Sequence, residues 1–373
     1  MEQFLDQTTS MIKPASPTLA LQSTPPKRAF PKVRAAVPQG ALPHYIRRQP
    51  RFEDTFGTSG DDTITTMDAE GDDIPNQAPT HRIPLQKMGV NRLHIPVTIL
   101  DPFGSSRTVQ LQCAVDAYAS VAPERRGVHV SRMGNILAHL TANVYPSLQD
   151  YAVDLCKQIS VVQKSHMAEV DVSGTISYIE AVRGVKDKAS VEHIKLRAGA
   201  QLTNGDMRLA MGIGFNHITA CPCVQQTYKH SFANTHHELL KAIIQEEIPF
   251  ITHSQRCASL LSIENIHGIL PLKDVLECVD AVIVRCQNTL PREFELLTVY
   301  RAHKTPQFLE DTLRDMLHAI YCLIGSDFPE STIRIQASSM ESIHDFDIAG
   351  EITYSVQELH ALRALSQSVA PLC

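Results

Sequence analysis

No stretch of this 373-residue chain is apolar for long enough to span a bilayer, which excludes a helical integral membrane protein. The N-terminus lacks the apolar core expected of a secretory signal, so a cytoplasmic location is expected, with organelle targeting left open. Positive charge is in deficit: 34 Lys and Arg face 40 Asp and Glu, for a formal net charge of −6 and a pI near 6.3. That balance excludes a general nucleic-acid binder. Cysteine is sparse for the length and odd in number, at nine, which excludes a disulfide-dense scaffold and points to free, mostly buried thiols in a reducing compartment. Aromatics make up only 6% of the chain, yet hydrophobic residues reach 43%, enough to fill real cores. The length suits two ordinary domains or one large one.

Absence also marks the N-terminal region. Residues 7–52 contain no acid but eight Lys or Arg and eight Pro, and residues 53–73 then carry eight acids and no base. Neither block has periodic apolar positions, so residues 1–78 read as a largely disordered extension. The basic block superficially resembles a transit peptide, but its prolines oppose the amphipathic helix that such peptides use.

Order is predicted from about residue 83. IPLQKMGVNRLHIPVTIL (83–100) and TVQLQCAVDAYASV (108–121) alternate as strands do. NILAHLTANV and SLQDYAVDLCKQISVV, within 135–162, read as helices, the second with Ser147 as N-cap. Strands resume at 167–182 and across 193–220, with a turn at Asn204-Gly205-Asp206. A helical insertion is expected at 237–247, a strand at 256–266, helices at 272–283 and 308–324, and strands at 332–339 and 351–356. The second of those helices carries an apolar stripe of Phe308, Leu309, Leu313, Met316, Leu317, Ile320 and Ile324. The strand–strand–helix–helix–strand–strand order of the first half recurs in the second without a sequence repeat.

Against this background FNHITACPCVQQ (215–226) is unusual, because Cys221 and Cys223 stand one residue apart. Redox pairs usually lie two residues apart, and an intervening proline disfavours a small disulfide ring. Structural zinc sites commonly pair two C-x2-C units, and no second Cys pair exists. His236-His237-Glu238 supplies the first half of a zinc deaminase motif without the P-C-x-x-C that must follow. His237-Glu238 opens an H-E-x-x-H, but position 241 is Lys. Two buried thiols at a strand end is the plain structural alternative. Three other polar stretches weigh against it: THSQR (252–256) with His253, REFE (292–295) with two carboxylates, and ESIHDFD (341–347) with an acid, a His and two further acids. Together they offer the S, N and O donors that catalytic metals use.

The ordered set HRIPLQKMGV, RRGVHVSRMGNIL, TACPC, THSQR, AHKTPQFLEDTLRD and MESIHDFD resembles the GTP cyclohydrolases of type IB, the family that includes the archaeal methanopterin-pathway enzyme. The resemblance runs from about residue 80 to the C-terminus. It implies an α+β tunnelling fold of tandem modules, taken here as 79–220 and 221–373, each with antiparallel strand pairs and two helices on one face. It also implies a homo-oligomer, a tetramer, whose sheets join into barrels with active sites at interfaces. The implied reaction opens the imidazole ring of GTP by water attack at carbon 8 and releases formate. Ribose rearrangement then gives 7,8-dihydroneopterin triphosphate for folate synthesis, or its 2′,3′-cyclic phosphate in the archaeal branch.

Roles follow from the resemblance residue by residue. Cys221, His253 and Glu295 match the metal ligands, with Glu293 a rival for the last. Cys223 matches a residue at the reacting purine, Glu310 the acid that holds guanine, and Glu341 and His344 the acid and imidazole of the family's ESIH. Phe346 stands where the family often has a further His, and the long CPC-to-HSQR gap is closer to the archaeal branch. The chemistry suits these residue types. A thiolate, an imidazole and a carboxylate fit Zn2+, with Fe2+ or Mn2+ also suitable, and such an ion lowers the pKa of water. His344 is the candidate proton donor to a leaving ring nitrogen, since an imidazole is the side chain suited to that transfer near neutral pH. A carboxylate at Glu310 accepts both guanine donors, N1–H and the 2-amino group. Arg126 and Arg132 are candidates for the triphosphate, with a solvated surface as the alternative. A metal-free tunnelling-fold reductase or aldolase, or a non-enzymatic binding protein on the same scaffold, are the rival readings.

Overall fold

The computed structural model describes residues 73–103, 107–182 and 187–366. Residues 1–72 of the expected extension therefore lie outside the described residues. Residues 73–78, read above as part of that extension, belong to the folded chain. Ile74–Asn76 form a 3-10 turn, the backbone N–H groups of Arg126 and Gly127 donate to the Pro75 carbonyl at 3.0 and 3.3 Å, and Asp73 lies 2.9 Å from His129 Nδ1.

Two long strands open the structure, β1 (Leu85–Leu100) and β2 (Thr108–Val121). In β2 every second residue from Leu111 to Val121 is buried, the period-2 pattern of a sheet with one covered face. Two helices cover that face, α1 (Val130–Leu140) and α2 (Leu148–Val162), separated by a two-residue strand β3 (Val144–Tyr145). The Ser147 hydroxyl caps α2 as its sequence predicts, accepting from the Asp150 N–H at 3.1 Å. Tyr151, Leu155 and Ile159 of α2 are fully buried.

Three consecutive strands of fifteen residues follow: β4 (Met167–Ala181), β5 (Ala189–Thr203) and β6 (Asp206–Ala220). The β5–β6 turn places Asn204 and Gly205 at φ of 51° and 89°, the left-handed pair that a tight hairpin requires. Beyond β6 come α3 (Pro222–Thr235), α4 (His237–Gln245) and β7 (Ser254–Ile266). The chain continues through α5 (Leu272–Val282), β8 (Val284–Arg285), α6 (Arg292–Lys304) and α7 (Leu309–Ile324). It closes with β9 (Thr332–Met340), β10 (Ile348–Ser355) and α8 (Val356–Ser366).

The strands form one mixed, largely antiparallel sheet in the order β10-β9-β7-β6-β5-β4-β2-β1-β3, with β8 pairing to β6 off this path. Only the short β1–β3 pairing is parallel. The long strands follow chain order, so each pairs with its sequence neighbour; β1, β2, α1, α2, β4, β5 give β-β-α-α-β-β with β3 between the helices, and β6, β7, α5, α7, β9, β10 follow the same order with α3, α4, β8 and α6 inserted. The fold is α+β. α2 packs on β4 and β5, α7 on β9 and β10, and α5 on α7. Each fully buried Leu or Ile in these layers contributes about 1.5–3 kcal/mol relative to exposure. Among the described residues no helix is long and apolar enough to cross a membrane.

The helices α3, α6 and α8 were not read from the sequence. The apolar stripe of α7 is buried except for Phe308, which is the N-cap residue and 41% exposed. A buried charge cluster ties the second half to β4. Arg285 is 3% exposed and bonds Asp280 at 2.9 Å, Glu180 at 2.7 Å and the Tyr178 hydroxyl at 3.0 Å.

Candidate functional site

Register brings the site together. Ala220 at the end of β6 pairs with Ser254 at the start of β7, and Arg256 pairs with Met340 at the end of β9. Residues just past these three neighbouring strand ends must therefore meet. They are Cys221, the 250–253 segment and the Glu341–Asp347 loop.

Cys221 continues the β6–β7 ladder by one step. Its N–H donates to the His253 carbonyl at 3.1 Å, and the Thr252 hydroxyl donates to its carbonyl at 2.7 Å. It stays extended, with φ −71° and ψ 118°, and acts as N-cap of α3. Pro222 at the first helical position lacks an N–H that the helix leaves unpaired there anyway. The proline thus separates the thiols by ending a strand and starting a helix. Cys221 is half-buried at the junction, whereas Cys223 is exposed on the first turn of α3.

On the other side of Cys221, His253 has its Nδ1 3.5 Å from the Ser342 hydroxyl. The His344 ring stands edge-on to it, with centroids 6.5 Å apart and planes at 89°. Glu341 is held by the Ser339 hydroxyl, which donates to its carboxylate at 2.8 Å. Ser339 is buried and belongs to a polar stripe beneath the site with His217, Thr219, Cys257 and Ser259. The Thr219 hydroxyl lies 3.3 Å from the Cys257 sulfur, and His217 Nε2 lies 2.9 Å from the Ser259 hydroxyl. Burial lowers the His217 pKa to about 4 and raises that of the Cys257 thiol. His217 is therefore neutral near pH 7.

Two residues that sequence reasoning missed support this corner. Buried Gln225 donates to the carbonyls of Phe250 at 3.2 Å and His303 at 2.8 Å, and the His303 ring nitrogens lie 2.8 and 3.2 Å from the carbonyls of Val299 and Thr252. Together they lock α3, the strand entry and α6. A Gln two residues past a Cys-Pro-Cys carries no pattern by which it stands out from its neighbour Gln226.

The other predicted residues are not gathered here. Glu295 lies exposed on the first turn of α6, about 12 Å along the helix from His303 at 1.5 Å per residue. The side chain of the rival Glu293 lies outside the described residues. Glu310 is exposed on the first turn of α7. Arg132 belongs to α1 in the first half of the sheet, 3.3 Å from Asp73, beside a cavity of about 210 Å³ also lined by Arg125, His129 and Lys164. Arg126 lies just before that helix and bonds Pro75 through its backbone. Among the described residues no three His, Cys, Asp or Glu side chains converge as a metal group. The thiol of Cys221 and the imidazole of His253 fit a zinc-like ion as two adjacent donors, and the third donor is not supplied by the described residues in this arrangement.

The family model for the type I GTP cyclohydrolase folE2 matches residues 72–350. The chain belongs to this family. It is an enzyme, a GTP cyclohydrolase. Similar curated proteins include the GTP cyclohydrolase MptA of Thermoplasma acidophilum, 26% identical over 294 residues, covering 78% of this chain and 97% of the relative. The MptA of Methanocorpusculum labreanum is 26% identical over 304 residues, covering 77% and 97%. Among solved structures, the uricase of Arthrobacter globiformis superposes with a TM-score of 0.43 and 8% identity over 72% of this chain and 93% of that one. A uricase from Bacillus fastidious gives 0.41 and 9% over 77% and 99%. In this GTP cyclohydrolase the segments TACPC, THSQR and MESIHDFD are brought side by side by the ends of β6, β7 and β9.

Proposed function

We propose that this GTP cyclohydrolase opens the imidazole ring of GTP at the corner formed by Cys221, His253 and His344, releasing formate and forming a 7,8-dihydroneopterin phosphate. The observation that carries the reading is the pairing of Cys221 with His253 at 3.1 Å through the backbone, with the His344 ring set edge-on to His253. Cys221, His253 and Glu295 are the residues that would hold a divalent ion, Zn2+, Fe2+ or Mn2+. When bound, that ion supplies Lewis acidity that makes water a nucleophile near neutral pH.

The chain's own residues do the rest. Exposed Cys223 faces the purine from the first turn of α3. His344 gives a proton to the ring nitrogen that leaves as an amine. Glu310 accepts N1–H and the 2-amino group of guanine, and Arg132 meets the triphosphate. Glu341, steadied by Ser339, lines the same loop as His344. Because Glu310 and Arg132 belong to other parts of the chain, the complete site forms in a homo-oligomer, a tetramer of two-module subunits with sheets joined edge to edge. The repeated β-β-α-α-β-β order supports two modules that divide at the Asn204-Gly205 turn, so that β6 opens the second. That boundary is proposed beside the division after residue 220 expected from sequence.

Two features favour the 2′,3′-cyclic phosphate as product over the triphosphate. They are the MptA relatives and the two-helix excursion between Cys221 and His253. The test is anaerobic incubation with GTP and each metal in turn, scoring formate, a fluorescent pterin after oxidation, and pyrophosphate. One formate and one pyrophosphate per GTP is the expected outcome. Formate without pyrophosphate assigns the triphosphate product instead, and no formate with any metal refutes the reading.

A further inference from the structure

A histidine that transfers a proton is usually oriented by a hydrogen bond from its second ring nitrogen. His344 has no such bond among the described residues. What touches its ring is aromatic: His253 edge-on at 6.5 Å and 89°, and Phe346 face-on, with centroids 5.0 Å apart and planes only 11° from parallel. His344 and Phe346 are two residues apart in the bent loop between β9 and β10, and the bend stacks their rings on one another. Phe346 is 60% exposed, a costly place for a large apolar ring whose contact is not the core. The core that anchors neighbouring strands does not reach this loop.

We propose that Phe346 is a positioning residue for His344: its ring is the platform that holds the imidazole perpendicular to His253 and turned toward the reacting purine. This rests on the reading of His344 as proton donor and goes beyond it by naming what orients the donor. A flat aromatic face restricts rotation about the second side-chain torsion of a neighbouring imidazole, which an exposed loop backbone alone does not. Removing the platform leaves His344 present but spread over several orientations, and only the aligned fraction transfers a proton. The effect therefore falls on the chemical step rather than on GTP binding.

The experiment is a mutant cycle on the full-length, metal-loaded enzyme, with kcat and KM for GTP and bound metal measured for each variant. Phe346→Leu keeps apolar bulk and loses the flat face. It is expected to lower kcat about 3- to 10-fold, the scale of one aromatic pair, with KM and metal content unchanged. Phe346→Tyr keeps the face and is expected to stay within about twofold of the parent. In the background of His344→Gln, adding Phe346→Leu is expected to cost nothing further, because the platform has no imidazole to hold. Three results overturn the proposal: equal losses in Phe346→Leu and Phe346→Tyr, a loss in KM rather than kcat, or an undiminished effect of Phe346→Leu without His344. Parental turnover by His344→Gln alone sinks the proton-donor reading itself, a different failure from any of those three.

Discussion

Glu310→Gln separates a guanine-binding carboxylate from a helix-capping one, and the structure sets the two magnitudes apart. An acid on the first turn of a helix is stabilising for ordinary reasons. It favours the dipole, and it often bonds back to the N-cap backbone. Here the second task is done by Asp311, which accepts from the Phe308 N–H at 3.1 Å, while the Thr312 hydroxyl donates to the Phe308 carbonyl at 2.7 Å. Glu310 has no hydrogen bond or ion pair among the described residues. Its structural share is the dipole contribution alone, about 0.3–1 kcal/mol, or roughly 1–4 °C in melting temperature for a chain of this size. As the guanine acceptor it faces two donors at once. Gln keeps one acceptor and turns an amide donor toward the other, which costs about 2–4 kcal/mol, or on the order of 10²-fold or more in kcat/KM. Steady-state kinetics with GTP and a thermal melt on the same preparation decide the matter. A large kinetic loss with a small melting shift is expected, and unchanged kcat/KM removes Glu310 from the site.

Cys221→Ser is expected to lose bound metal, because a neutral hydroxyl is a far poorer ligand than a thiolate, whereas Cys223→Ser retains metal and turns over slowly; elemental analysis with kinetics checks both, and equal metal loss shows the roles to be wrongly divided. Deleting residues 1–72 is expected to leave formate release intact, while deleting 1–78 also removes Asp73 from His129 and Arg132 and lowers the melting temperature; equal behaviour of the two truncations refutes that difference. His217, buried with its pKa lowered to about 4, makes stability fall with acid. Below about pH 6.5 the unfolded chain takes up a proton that the native state refuses, so stability drops by about 1.4 kcal/mol per pH unit down to the native value. Urea unfolding at pH 7 and pH 5 is expected to show that slope, and His217→Gln to reduce it.

The long strands were legible because one face is covered and the other is not. β2, β4 and the first half of β5 alternate in burial as they do in hydropathy, whereas β6 buries Met211–Phe215 continuously, and the Asn-Gly turn fixes the β5–β6 register without help from distant residues. Ser147 announced α2 by the same local logic. Two of the three helices that escaped notice, α3 and α6, bury little. α3 has Gln225 as its one buried residue among the described residues, and α6 leaves Leu296 69% and Leu297 40% exposed. A helix without a buried stripe lacks the 3.6-residue apolar period by which helices are recognised. α6 nonetheless holds together at one end through polar contacts of His303, which no hydropathy pattern encodes.

The site divided along the same physical line. Cys221, His253 and His344 converge because β6, β7 and β9 are neighbours in one sheet, and sheet register is a long-range consequence of alternation, turn length and pairing. Residues fixed to strand ends are placed to within a residue once the register is known. Glu295, Glu310 and Arg132 sit instead on the first turns of three different helices, α6, α7 and α1, which reach the sheet by packing rather than by pairing. Helix packing fixes a face but leaves the first turn exposed, and an exposed acid or base there is satisfied by water as readily as by a ligand. For such residues the sequence motif carries chemistry without position. Leu296 and Leu297 are exposed beside Glu295 on the same helix. Within one chain the sheet register brings Cys221, His253 and the loop of His344 together, and under the proposed function assembly would add the helix-borne residues.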